Sequence, residues 1–282
     1  MIIITRKAYA KINLGLRILS RRDDGYHNIE THFQRISLHD TVAIFPKESG
    51  VGYFGPKLTE SPEHNLSVKA AVDFLRIFNI KGGVEVALSK RIPTGAGLGG
   101  GSSDAATVLM ILAEIFDIEP TDKLLLELAA SLGADVSFFM KDLPSAAGSG
   151  LGEQLQPIEG LPSNKTVLII WPGFQVSTAQ AYREFDNALT EPLRITNLGV
   201  RLHNDVSTSG SKHYNNDFES IVFSAHPTLL EARDRLLQAG AESAGLTGSG
   251  SSLFAIFDGE SKARAAANIH HPPWQSFICR PC

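Results

Sequence analysis

From Ala8 to Ile18 apolar and polar residues alternate: Ala8, Ala10, Ile12, Leu14, Leu16 and Ile18 stand at even positions, while the odd ones carry Lys11, Asn13, Gly15 and Arg17. A period of two sends successive side chains to opposite faces, so the stretch predicts a half-buried strand with Lys11 and Asn13 on its non-core face. Asp24-Gly25 is a turn signal, followed at once by Tyr26 and His27. Val84, Val86 and Leu88 alternate again and predict a second strand. Helices are expected at Leu66–Phe78, Ser103–Phe116 and Thr121–Leu132, the last capped by Thr121 after Pro120 and stopped by Gly133.

The texture changes near 158–165, where PIEGLPSNK reads as a boundary loop. Beyond it, TVLIIW is a short buried strand and Pro227–Ala239 a helix. Leu253–Phe257 is a strand entered from a second glycine cluster, GLTGSGSS. The polar, patternless run Arg201–Asn215 is expected as an exposed loop. There is no repeat of fixed period, and the whole reads as two α+β layers of unequal size.

The run Pro93 to Ala106, PTGAGLGGGSSDAA, changes this picture from architecture to chemistry. Five of its first nine residues are glycine, Ser102, Ser103 and Asp104 follow, and an apolar run begins at Ala105. The first N–H groups of a helix lack internal partners and sit at the positive end of its dipole. Glycines ahead of them let backbone amides approach an anion with no Cβ in the way. The run therefore predicts a phosphate site. A Walker loop needs a lysine after the glycines, and none follows. Gly95, Gly97 and Gly100 satisfy G-x-G-x-x-G, but IEPTDKLLLELAASLG stands where a nicotinamide-binding unit needs an acid-ended second strand. Protein kinases share the glycine spacing, yet no H-R-D or D-F-G follows.

Composition sets the surroundings. The 282 residues suffice for two domains, the formal charge of −4 argues against a general nucleic-acid binder, and no stretch approaches a membrane span. The N-terminus is not that of a signal peptide. The only cysteines, Cys279 and Cys282, form one C-x-x-C without a second ligand pair, read as two thiols without a role in a reducing cytoplasm.

With its neighbours, the glycine run resembles the phosphate loop of the GHMP small-molecule kinases, named for galactokinase, homoserine kinase, mevalonate kinase and phosphomevalonate kinase. AKINLGLRIL at 10–19, DGYH at 24–27, HNL at 64–66 and the loop carry the resemblance through the first half. GADVSFF at 133–139, G-x-G-E at 150–153, NDFE at 216–219 and LTGSGSS at 246–252 continue it. It implies a two-domain α+β fold: an ATP-binding domain over 1–158, like domain 2 of ribosomal protein S5, and a ferredoxin-like substrate-side domain over 159–282. It also implies phosphoryl transfer from ATP, with Mg2+, to a small-molecule hydroxyl. AKIN and DGYH together point to a branch whose acceptor carries a cytidine diphosphate group.

Residue roles follow from the resemblance. Asp135 matches the base and Lys11 the neighbouring cation. Without the family they read as a helix-terminus aspartate bonding local amides and a solvated strand lysine. Pro93, Thr94, Gly95, Ala96, Gly97, Leu98, Gly99, Gly100, Gly101, Ser102 and Ser103 match the phosphate cradle, with a hydroxyl of Ser102 or Ser103 toward phosphate or Mg2+. The metal's ligands are otherwise unassigned. Asn65, Leu66 and Lys90 match the adenine side, though Asn65 also reads as a helix cap and Lys90 as a solvated side chain. Tyr26 and His27 match a cytosine site, or else an exposed hairpin corner. Tyr182 is the candidate for the opposite stacking face or an ordinary packed helix residue. Asn13 is expected at the substrate beside Lys11. Gly248 and Ser249 are expected at its diphosphate, or else form a tight turn. The competing expectations are another kinase of the superfamily (homoserine or mevalonate type), a nucleotide-binding protein without catalysis, and an NAD-dependent oxidoreductase.

Overall fold

Alternation at the N-terminus develops into a hairpin far longer than eleven residues. In this computed structural model, which describes residues 3–190, 214–268 and 273–282, β1 runs Ile4–Arg21 and β2 His27–Lys47, paired antiparallel through a turn at Asp24-Gly25. Gly25 has φ 85°, a conformation glycine adopts without a Cβ penalty. Because β2 is so long, its second half also pairs with β4 (Gly83–Ser89) and its first half with β5 (Ser145–Ser149). β3 (Gly50–Phe54) adds parallel to β4, and β6 (Gln154–Pro157) pairs with β5.

Four helices cover this first sheet: α1 (Leu66–Ile77), α2 (Gly100–Ile115), α3 (Lys123–Leu132) and α4 (Ala134–Met140). Two of these differ from expectation. α2 begins three residues before Ser103, so glycines occupy its first turn. A Cβ on Gly100 would lie 2.8 Å from Ile92, so close packing overrides glycine's poor helix propensity there. α3 is capped by Asp122, whose carboxylate accepts from the amides of Leu124 and Leu125, and not by Thr121.

Residues 158–164 join β6 to β7 (Lys165–Trp171) without helix or strand. The second sheet has order β10-β7-β9-β8, all antiparallel, with β8 Ser243–Leu246, β9 Leu253–Asp258 and β10 Gln275–Cys279. It carries α5 (Thr178–Thr190), α6 (Glu219–Ala225), α7 (Pro227–Gln238) and α8 (Glu260–Ala266). The loop expected at 201–215 lies, up to residue 213, outside the described residues.

The two sheets share a core. Ala10, Ile12, Leu14, Ile36 and Leu38 of the first pack on Val167, Ile169, Phe254 and Ile256 of the second. This is the even face of β1, buried as its period demanded. On the odd face Arg17 is exposed, but Lys11 is only 4% and Asn13 2% exposed, because the glycine loop, α4 and the segment after β8 close over them. Cys279 is buried in the shared core, and burial pushes its thiol up to about 12, so it is held neutral.

Candidate active site

Between the glycine loop, the β1–β2 turn, α4 and the start of α5 lies a cleft of about 1060 Å³. Its floor is the polar face of β1. Lys11 Nζ donates to Asn13 Oδ1 at 2.7 Å, Asn13 Nδ2 to Thr31 Oγ1 at 2.8 Å, and the Thr31 hydroxyl to the Gly15 carbonyl at 2.8 Å. Each donor in this relay has one acceptor, which fixes the Asn13 amide and aims the ammonium. Phe33 lies beneath Lys11, its ring centre 5.6 Å from Nζ.

Asp135 stands in the first turn of α4, not merely past a helix stop, and its Oδ2 is 3.4 Å from Lys11 Nζ. The α4 N-terminus favours a carboxylate at that position. The Asp135 side chain remains 30% exposed, open to the cleft, whereas that of Lys11 is sealed beneath it. The two residues assigned from separate motifs thus meet. The lysine is not solvated and the aspartate is not occupied by local amides alone.

The first glycine loop closes one wall. Gly95, Gly97 and Gly99 all have positive φ, and the cleft is bordered from Pro93 through Ser102. Ala96 and Leu98 turn their side chains into the shared core, so the loop meets the cleft with backbone. A Cβ on Gly97 would fall 2.1 Å from the Thr247 carbonyl oxygen. The second glycine segment lies directly behind it, joined by Thr247 Oγ1 to the Gly97 carbonyl (3.2 Å) and by the Ser252 amide to the Ala96 carbonyl (3.2 Å). Gly248 and Ser249 reach the cleft from that segment.

Two expected nucleotide residues stand apart. Ser103 faces a separate cavity of about 280 Å³ beside Tyr9 and Arg35. Asn65 does not border the cleft. It caps α1, accepting from the Ser67 amide, and puts Leu66 at the wall instead. Lys90 borders the cleft but is not solvated: Nζ contacts Asp104 Oδ2 at 2.8 Å and bonds Asp40. Asp40 also accepts from the amides of Arg91 and Ile92, which fixes the chain entering the loop. Burial alone would lower the Lys90 pKa, but Asp104 and Asp40 outweigh it and hold it above the ordinary lysine value. Burial pushes the Asp104 carboxyl up, against the pull of Lys90 and with the help of Asp40.

At the far end Tyr26 is 64% exposed at the rim, and His27 is buried, with Nε2 2.7 Å from Asp186 Oδ1. Tyr182 stacks on His27 (centroids 4.9 Å, planes 8° apart) and meets Phe218 edge-on. One face of Tyr182 is thus already occupied by the histidine. Burial, with the Asp135 charge adding, pushes its phenol up to about 12.

Asp40, Thr31, Asp186, Asn216 and Thr247 support these groups and were not singled out from the sequence, because their partners lie up to 234 residues away. Of these, Asn216 and Thr247 lie in the NDFE and LTGSGSS runs and so carried a local sign of a role, as did Asp104 next to the two serines.

Comparison with known proteins agrees along the chain. Residues 65–152 match the model of the GHMP kinases N terminal domain, and 203–271 that of the GHMP kinases C terminal. The 4-diphosphocytidyl-2-C-methyl-D-erythritol kinase of Prosthecochloris aestuarii is 38% identical over 94% of this chain and 92% of its own length. That of Chlorobaculum parvum is 40% identical over 93% and 91%. A crystal structure of a 4-(cytidine 5'-diphospho)-2C-methyl-D-erythritol kinase superposes with a TM-score of 0.77 at 35% identity, covering 98% of both chains. A homoserine kinase from Cytophaga hutchinsonii, 17% identical with a TM-score of 0.68, shares the fold over 99% of this chain and 94% of its own.

Proposed function

Because the chain belongs to the GHMP kinases and, among them, to the 4-diphosphocytidyl-2-C-methyl-D-erythritol kinases, we propose that its cleft seats ATP and that cytidine substrate together. The protein is an ATP-dependent small-molecule kinase of isoprenoid precursor synthesis by the non-mevalonate route, and the oxidoreductase expectation falls away. In our reading the phosphoryl group goes to the 2-hydroxyl of the methylerythritol unit.

Phosphoryl transfer passes through a loose transition state, so the protein mainly positions and neutralises. Asp135 takes the acceptor hydroxyl's proton, and Lys11 holds the carboxylate and offsets charge developing on the acceptor oxygen. Asn13 and Thr31 keep Lys11 aimed. The amides from Gly95 to Ser102 cradle the nucleotide phosphates, Leu66 packs at the base, and Asn65 and Lys90 support that end. Tyr26, His27 and Tyr182 form the cytosine end, and Gly248 with Ser249 meets the diphosphate between. Residues 1–158 thus supply the nucleotide seat and the reacting groups, and 159–282 the Tyr182 and Gly248 side.

Among the described residues no cluster of three His, Cys, Asp or Glu side chains could hold a metal. Mg2+ brought in by a nucleotide needs few protein ligands, and Ser102, which borders the cleft, carries a hydroxyl oxygen that suits it. When bound, Mg2+ would supply positive charge that offsets the ATP phosphates. No described helix is long and apolar enough to cross a membrane. The free thiols of Cys279 and Cys282 support a cytoplasmic setting.

The observation that carries this reading is the 3.4 Å Lys11–Asp135 pair, set between the glycine loop and the Tyr26–His27 corner. ADP release should be followed with ATP and Mg2+ and one acceptor at a time. Turnover is expected with 4-diphosphocytidyl-2-C-methyl-D-erythritol and not with homoserine or mevalonate. The reverse pattern would move the protein elsewhere in the superfamily.

A further inference from the structure

The segment NDFE, whose Phe218 meets Tyr182, contains a buried asparagine whose side-chain nitrogen and oxygen are both bonded. Asn216 Nδ2 donates to the carbonyls of Leu246 and Gly248, both at 2.8 Å, and its Oδ1 accepts from the Phe218 amide at 3.1 Å. The backbone on either side is anchored to β1 just after Lys11 and Asn13: the Leu16 amide donates to the Asn215 carbonyl, and the Asp217 amide to the Leu16 carbonyl. Glu219 takes the Leu246 amide at 2.8 Å. With Asn215 before it, NDFE thus grips the second glycine segment at three points and β1 at three, the last being the Ile18 amide donating to Asp217 Oδ2.

The grip has a direction. In a planar trans peptide the C=O and the following N–H point opposite ways. Holding the Gly248 carbonyl toward Asn216, which does not border the cleft, therefore turns the Ser249 N–H to the segment's other side, where Gly248, Ser249 and Gly250 do border it. The Ser249 hydroxyl is fixed independently, 2.8 Å from Thr178 Oγ1. Thr247, between the two gripped carbonyls, accepts the Asn13 amide through Oγ1 at 3.0 Å.

We propose that Asn216 is a positioning residue for the acceptor, aiming the Ser249 N–H at an anionic oxygen of the substrate and holding the segment against the strand of Lys11. The inference rests on the kinase reading above for the identity of that anion. No part of Asn216 touches substrate.

Asn216→Asp keeps the shape and the Phe218 bond but removes both donors and sets a carboxylate against two carbonyls. Two hydrogen bonds of about 1 kcal/mol each correspond to a rise in KM for the cytidine substrate of roughly 10–100-fold. Tm should fall, as the loss of two buried bonds requires, while KM for ATP should stay near wild type. A purely structural role predicts instead that both KM values worsen together with Tm, and a KM for ATP that rises with that for the cytidine substrate, or an unchanged substrate KM, overturns the proposal. Asn216→Ser serves the same comparison should the aspartate fail to fold. Asp217→Ala is the control, since it frees only the Ile18 amide and should cost stability without a selective KM change. Absence of wild-type turnover would refute the kinase reading alone. The grip is then judged by hydrogen exchange of the free protein: faster exchange over 246–250 in N216D, with 95–101 unchanged, supports it, and identical exchange sinks it.

Discussion

Two lysines face aspartates within this one cleft, and they differ in what the fold leaves them free to do. Lys11 has one carboxylate at 3.4 Å and an amide oxygen at 2.7 Å, and its acid opens to the cleft. Lys90 is clasped between Asp40 and Asp104, both almost wholly buried, and Asp40 spends its other oxygen on the backbone. The first pair keeps a carboxylate edge open to the cleft, which is what the proton transfer we propose requires. The second is spent on architecture, fixing β2, the entry to the glycine loop and the first turns of α2. Chemistry thus depends less on the pairing than on which partner is left accessible.

The largest effect should come from breaking the accessible pair. Removing a positioned base typically costs about 10²–10⁴-fold in rate, so Asp135→Asn should lower kcat by that order. Binding of an ATP analogue, measured by calorimetry, should be unchanged, and full activity in this variant would remove Asp135 from its role. Lys90→Met should show the opposite pattern. It leaves two buried carboxylates without their cation, and breaking a buried pair costs about 3–5 kcal/mol, read as a clear drop in Tm. Because the three groups are coupled, Lys90→Met with Asp104→Asn should lose less than Lys90→Met alone.

The smallest effect is a slope. The folded-state pKa of Asp104 is raised from 3.8 by burial, and that of Glu219 from 4.5 up to about 7, again mainly by burial. The folded protein therefore keeps protons that the unfolded chain has released, so stability falls as pH rises from the ordinary carboxylate range toward 7. Asp104→Asn should flatten the decline of Tm between about pH 5 and 7, and so should Glu219→Gln. An unaltered slope in both would mean that other groups set it.

How legible all this was depended on distance along the chain. The even face of β1, the glycine loop and helices α1 and α7 follow from periodicity and local chemistry, and the structure places them within a few residues of expectation. The odd face of β1 did not, because its cover comes from Leu98, Phe139 and Thr247, far off in sequence. β2 was hidden by polar residues at core positions, above all Asp40, whose burial makes sense only once Lys90 is opposite. α4 has seven residues, too few to show a period, yet it carries Asp135. The motif resemblance supplied Lys11 and Asp135. Asn13 was expected beside Lys11, but its bond to Thr31 and the grip of Asn216 on the second glycine segment required coordinates.

The contact at Gly97 has a consequence for how this site can change over time. A Cβ there would fall 2.1 Å from the Thr247 carbonyl oxygen, so no side chain, however small, fits at position 97. On the kinase reading, the gap between the nucleotide seat and the acceptor seat is therefore set at this point by main chain against main chain, with no side chain at position 97 to lengthen or trim it. Substitutions elsewhere can alter what each seat prefers to hold, but they cannot reset that contact.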